Sequence, residues 1–186
     1  MRPIFQLMKE KGIISTQMFS LCLGKNGGYF QIGGYDGTSH IEQNVTWFPV
    51  WETNAYKFNL QGISMNNHLM AGSEEFNVGV IDSGTTFTYV PQKFFNMLNV
   101  HFDWFCSLDK ANHCKGKKIQ SSSDSICFEY DERAFPNGPR NYFMSYPVLN
   151  FHTNSINSNK ISFKWYPSEY LFRHKENQYC MAIEKF

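Results

Sequence analysis

The residues best placed for chemistry are Asp82-Ser83-Gly84-Thr85-Thr86. The apolar run Phe76, Val78, Val80, Ile81 leads into them and has strand composition; Phe87-Thr88-Tyr89-Val90-Pro91 leads away. A carboxylate at such a tip suits proton transfer; its plainer use is as a turn acid capping a helix or hairpin. Gly84 lets the backbone turn tightly and approach a ligand or a second backbone. The hydroxyls of Ser83, Thr85 and Thr86 can satisfy backbone groups in the turn or hold the carboxylate. Pro91 and the following Gln92–Leu98 read as a helix with proline in its first turn, running to about Phe105.

Other chemistries fit less well. Cys106, His113, Cys114 and Cys127 offer soft ligands, but the spacing Cys-x7-Cys-x12-Cys has no tight Cys-x2-Cys pair for a structural zinc. A local Cys106–Cys114 disulfide suits it better, and no metal or other cofactor is expected. No motif sets a cysteine beside a base. His40, His68, His101, His113, His152 and His174 are scattered and read as surface or loop residues. Gly27-Gly28 and Gly33-Gly34 read as hairpin turns rather than a phosphate loop, and Asp36 as turn chemistry after glycines. The formal net charge of +1 argues for no nucleic-acid partner. No apolar run reaches membrane-span length. Asn44-Val45-Thr46 is a glycosylation sequon.

The elements that must position Asp82 follow from pattern. The 186 residues fit one domain and can bury a real core. Eighteen Phe, ten Tyr and four Trp among recurring turn residues favour a β-rich globule. Ile4 to Lys11 has helical spacing, with Gly12 as its stop. Met18–Leu23 and Tyr29–Ile32 read as a hairpin, Val45–Val50 as a short strand, and Tyr56–Met65 as a half-buried strand ending at an Asn66-Asn67 turn. Cys106 to Ser125 reads as a polar, mobile insert; Lys115, Lys117 and Lys118 there suit a solvated loop better than an acidic partner. Tyr146–His152, Ile161–Trp165, Pro167–Phe172 and Tyr179–Ile183 complete a ladder of strands.

Asp-Ser-Gly-Thr-Thr followed by Phe-Thr-Tyr-Val-Pro and a helix resembles the active-site loop of the pepsin-like aspartic proteases, most of all the branch holding the nepenthesins and plasmepsins. The flanks extend the likeness. Ile14-Ser15 through Asp36 is similar to the segment that carries such chains from the first lobe into the second. The Trp47-Phe48-Pro49 strand and Tyr56…Leu60-Gln61-Gly62-Ile63 precede the loop as in the family. Cys127, Pro147-Val148-Leu149-Asn150-Phe151, Pro167…Tyr170-Leu171 and Tyr179-Cys180-Met181-Ala182-Ile183 resemble the distal half of the second lobe. The resemblance implies a mainly β fold, one lobe of a bilobal acid protease with a few short helices. Residues 1–17 would be the end of the first lobe and the connection, and 18–186 a C-terminal lobe truncated before its last strands. It also implies a Cys127–Cys180 disulfide and leaves Cys22 without a partner in the chain.

By the same resemblance, the activity is aspartic-type endopeptidase. Two facing carboxylates share one proton and activate a water; no covalent intermediate forms. Asp82 would be the second catalytic aspartate. Ser83 would bond across to the first lobe's loop, Gly84 would keep the backbone near substrate, and Thr85 and Thr86 would hold the carboxylate network and the substrate backbone. Asp36, Asp103, Asp109, Asp124 and Asp131 lack the hydrophobic-Asp-Ser/Thr-Gly setting, so the chain supplies one carboxylate. The partners expected are a peptide or protein substrate and a missing N-terminal lobe, with a homodimer as a further arrangement. The alternatives are an inactive protease-like binding or inhibitor module and a lone lobe without activity. Cysteines, sequon and family point to the secretory or endomembrane pathway, a lysosome- or vacuole-like compartment, or the exterior.

Overall fold

The structure, a computed structural model, describes residues 2–24, 26–39, 45–51, 55–75, 77–119, 125–157 and 159–186. Phe76, the sequon residue Asn44, His40 and Asp124 lie outside the described residues. The chain divides into two compact units, Met1–Thr46 and Trp47–Phe186.

In the first unit, α1 (Ile4–Glu10) ends where Gly12 takes φ +69°. β1 (Phe19–Gly24) and β2 (Gly27–Ile32) form an antiparallel hairpin. Gly27-Gly28 is not its turn: both lie in β2, Gly27 paired with Gly24 and Gly28 with Leu23. Asp36 is a turn acid, accepting the Thr38 amide at 2.9 Å and the Thr38 hydroxyl at 2.6 Å.

In the second unit strands predominate over helices. β3 (Tyr56–Met65) alternates apolar and polar residues over its first half, and it anchors the main sheet. It pairs with β4 (His68–Gly72), β5 (Val78–Ile81) and β9 (Leu149–Asn154), and β9 in turn pairs with β10 (Lys160–Trp165). Asn66 makes the β3–β4 turn with φ +51°. A second sheet has the order β11 (Leu171–Lys175), β12 (Gln178–Met181), β8 (Cys127–Glu129), β7 (Lys118–Ile119). β6 (Thr88–Val90) and β13 (Ile183–Lys185) form a parallel pair. Between β6 and β7 runs α2 (Gln92–Leu108), which buries Phe94, Phe95, Leu98, Phe102 and Phe105. That spacing puts one apolar stripe against the core; Phe102 packs on Phe128 and edge-on to Tyr170.

Several expectations are corrected. Val45–Val50 forms no strand: Pro49 has no donor, and single bonds replace a ladder, Ile156 N–H to Trp47 O and Trp51 N–H to Lys57 O. Of the Pro167–Phe172 stretch read as a strand, Leu171 and Phe172 belong to β11, while Pro167–Tyr170 is a short helix, α4; proline suits its first turn, and the Glu169 carboxylate accepts the Tyr166 amide at 2.8 Å. Tyr179–Ile183 is two strands. Ala182 breaks it by donating to Tyr170 O and accepting from Thr88 N–H, which sends β13 to β6. The described stretch of the Cys106–Ser125 insert up to Ile119 is tied to the rest of the unit rather than a free loop. Cys106 belongs to α2, Gly116 is buried, and Lys118 in β7 donates to Asn99 at 2.5 Å and Asp103 at 2.6 Å. His152 lies on β9, within the strand read over Tyr146–His152, but it is not a loose surface residue: its ring sits between the Ser64 and Ser162 hydroxyls at 2.9 and 2.7 Å. His101 lies on α2, bonded to Met97 O. A further helix, α3 (Arg140–Phe143), carries the fully buried Tyr142.

Candidate active site

The Asp82 loop is slung between two strand pairs. Its entry, β5, lies antiparallel to β3, with Ile81 opposite Tyr56. Its exit, β6, lies parallel to β13, with Thr88 opposite Ile183; the Thr88 amide donates to Ala182 O at 2.9 Å. Each end is thus tied to a different part of the unit, and the carboxylate stands between them.

Within the loop the bonds are local. The Thr85 amide donates to Asp82 O at 3.2 Å, which closes the turn. The Gly84 amide donates to Asp82 Oδ1 at 2.9 Å, and the Thr85 hydroxyl donates to Asp82 Oδ2 at 2.6 Å. One donor on each oxygen stabilises the charged form. The Thr85 hydroxyl, then the Gly84 amide, hold Asp82 below the usual carboxylate range. Gly84 does not use a left-handed backbone. It serves instead by its amide and its bareness: a Cβ there would stand 3.3 Å from Asp82 Oδ1. Ser83 and Thr86 are exposed, and among the described residues their hydroxyls make no hydrogen bond within the chain. Asp82, Gly84 and Thr85 therefore form one bonded set, with Ser83 and Thr86 free to meet something else.

Asp82, Thr85 and Thr86 line a cavity of about 900 Å3. Most of its wall is apolar: Phe58, Val80, Ile81, Phe87, Trp165 and Phe186 contribute. Sequence reasoning did not find Trp165, Phe186 or Glu169 as lining residues. They come from β10, from the residue after β13 and from α4, and no local signal marks them. Among the described residues no group of three or more His, Cys, Asp or Glu is arranged to hold a metal ion.

Two disulfides brace the unit. Cys106 on α2 is bonded to Cys114, and Cys127 on β8 is bonded to Cys180, its cross-strand partner on β12. Cys22 is a free, exposed thiol.

A mainly β unit with an Asp-Ser-Gly loop set between paired strands defines a pepsin-like aspartic protease unit, and comparison with known proteins agrees. Residues 1–183 match the family model for eukaryotic aspartyl proteases, and the chain belongs to that family. It is similar to plasmepsin V of Plasmodium falciparum, 24% identical over 79% of this chain and 28% of the relative. It is 30% identical to rat cathepsin E over 49% of this chain and 24% of that protein. Pregnancy-associated glycoprotein 2 of cattle is 24% identical over 76% of this chain and 38% of its own length. The chain spans little more than a quarter of plasmepsin V, the first of these relatives.

Proposed function

We propose that this chain is the C-terminal-lobe part of an aspartic endopeptidase, with Asp82 as one carboxylate of the catalytic dyad. The observation that carries the reading is the Asp82 carboxylate itself, solvent-reachable, with one donor on each oxygen, at the edge of a large apolar cavity. Residues 1–17 are the end of a first lobe and the connection, and 18–186 belong to the second lobe.

The chemistry follows from the local bonds. A carboxylate held ionised by Thr85 and Gly84 takes a proton from a water lying between it and a second acid. The second acid, kept protonated because two close like charges resist joint ionisation, polarises the scissile carbonyl. The pair titrates as a unit. Asp82 alone in this chain has the hydrophobic-Asp-Ser/Thr-Gly setting, so the second acid comes from a first lobe. Ser83 bonds across to the matching loop, and Thr86 meets the substrate backbone; their free, exposed hydroxyls support these roles. The substrate is a peptide or protein bound in extended form. The two disulfides support maturation on an oxidising, secretory route.

The test uses the full-length protein and a quenched fluorescent peptide library at acid pH. Asp82→Asn is expected to lower kcat by about a thousandfold or more, with the fold intact by circular dichroism. An Asp82→Asn protein that cleaves like the wild type would end the reading. Peptide binding without cleavage by the wild type would favour a protease-like binding module instead.

A further inference from the structure

The two disulfides lie in opposite surroundings. Cys127 and Cys180 are 1% and 2% exposed in the middle of a sheet. Cys106 and Cys114 are both partly exposed and line a separate open cavity of about 230 Å3. That cavity is basic. Lys110, His113, Lys117 and Lys118 line it, with Asp103 as the acid among the lining residues. Asp103 is already engaged by Lys118 at 2.6 Å. Nearby Asp109 is taken up by the amides of Ala111 and Asn112 and by the Asn112 side chain. Lys110 and Lys117 are exposed and, among the described residues, have no ion-pair partner. Lys110 and Lys117 are thus left on the cavity wall beside the disulfide with their charge unmatched among the described residues.

Reduction of this bond would be local. The loop after Cys114 is seated by bonds that do not depend on sulfur: Cys114 N–H to Ser145 O at 2.9 Å, Lys115 N–H to Ser145 Oγ at 3.0 Å, and Gly116 N–H to Tyr146 OH at 3.2 Å. The Cys106 end is held by α2, whose Phe102 and Phe105 are buried in the core. With the bond open, both cysteines stay on anchored backbone and near each other, so the bond can close again.

We propose that Cys106–Cys114 is a thiol-exchange site, reduced and re-formed in the native protein by small anionic thiols, while Cys127–Cys180 is purely structural. The basic cavity acts twice. It draws in an anionic thiolate, and it stabilises the thiolate that departs, which speeds exchange and favours the reduced form. An incoming thiolate attacks Cys106 Sγ. The Cys106–Cys114 bond breaks, and its electron pair passes to Cys114 Sγ. A second thiolate attacks the external sulfur of the mixed disulfide, freeing the Cys106 thiolate and releasing the small-molecule disulfide. The two protein thiolates take up protons from water according to pH. Two electrons pass from two small thiols to the protein disulfide. The site is separate from the Asp82 cavity, so the proposal stands apart from the catalytic reading.

The experiment equilibrates the full-length protein with graded mixtures of reduced and oxidised glutathione at neutral pH. Free thiols are then alkylated and located by mass spectrometry, while near-ultraviolet circular dichroism reports the native state. Cys106 and Cys114 are expected to be half reduced at a reducing ratio at least about tenfold milder than Cys127 and Cys180, with the native signal unchanged. A Lys110→Gln, Lys117→Gln double variant is expected to need a ratio about threefold or more stronger. Joint reduction of all four cysteines with loss of the native signal would overturn the proposal. So would a double variant that reduces like the wild type.

Discussion

Asp82 takes its donors from its own turn, two and three residues along. A carboxylate held this way keeps its charge at lower pH than a free one. Its folded pKa lies below the ordinary 3.8, so the interaction contributes above that value and is lost as pH falls through the lower folded one. Thr85→Val removes the larger cause. In the full-length protease we expect the acid limb of the kcat/KM profile to move to higher pH, and activity at the optimum to fall about tenfold. A profile unchanged in both respects would show that the Thr85 hydroxyl does not act on the working carboxylate.

At the scale of elements, packing leaves no room for a side chain at one buried glycine. Between Cys114 and β7, Gly116 is buried. A Cβ at Gly116 would run into the Glu129 carbonyl oxygen and stand 2.6 and 2.7 Å from the hydroxyls of Tyr142 and Tyr146. Those atoms are themselves bonded: Tyr142 OH donates to Glu129 O at 3.0 Å, and Tyr146 OH donates to Tyr142 OH at 2.9 Å. None can retreat without losing a partner. Gly116→Ala is therefore expected to cost about 2–3 kcal/mol in urea unfolding. A cost under about half a kilocalorie would mean that the loop shifts freely there.

At the scale of the whole unit, buried hydroxyls set the alkaline limit. Burial raises the ionisation of Tyr142, Tyr146 and Tyr170 well above the ordinary 10.0. Unfolded tyrosines lose their protons near that ordinary value, so above it the unfolded state binds fewer protons than the folded one. Stability then falls as pH rises past 10, by about 1.4 kcal/mol per pH unit for each such tyrosine. Phenolate absorbance from these three groups should appear together with loss of the near-ultraviolet dichroism. Their ionisation in a chain that keeps its native signal would contradict the packing around Tyr170, whose hydroxyl donates to Pro147 O at 2.6 Å.

What local chemistry controls is legible along the chain. Asp82, Gly84 and Thr85 are neighbours in the chain, so their turn and its bonds are written in one short stretch. The β3 alternation, the α2 stripe and the Asn66 turn are legible for the same reason: each depends on a period or a single backbone conformation. The Trp47 and Pro167 segments were misread because their apolar spacing suits a strand, while a proline and one side-chain acceptor decide otherwise. Which distant residues wall the Asp82 cavity, which hydroxyls the His152 ring meets, and that Gly116 must be bare were settled only by the meeting of distant segments. The same meeting left one disulfide buried and set the other on a basic cavity. Those outcomes depend on chain segments tens of residues apart meeting at a given register, and no pattern within either segment records the meeting.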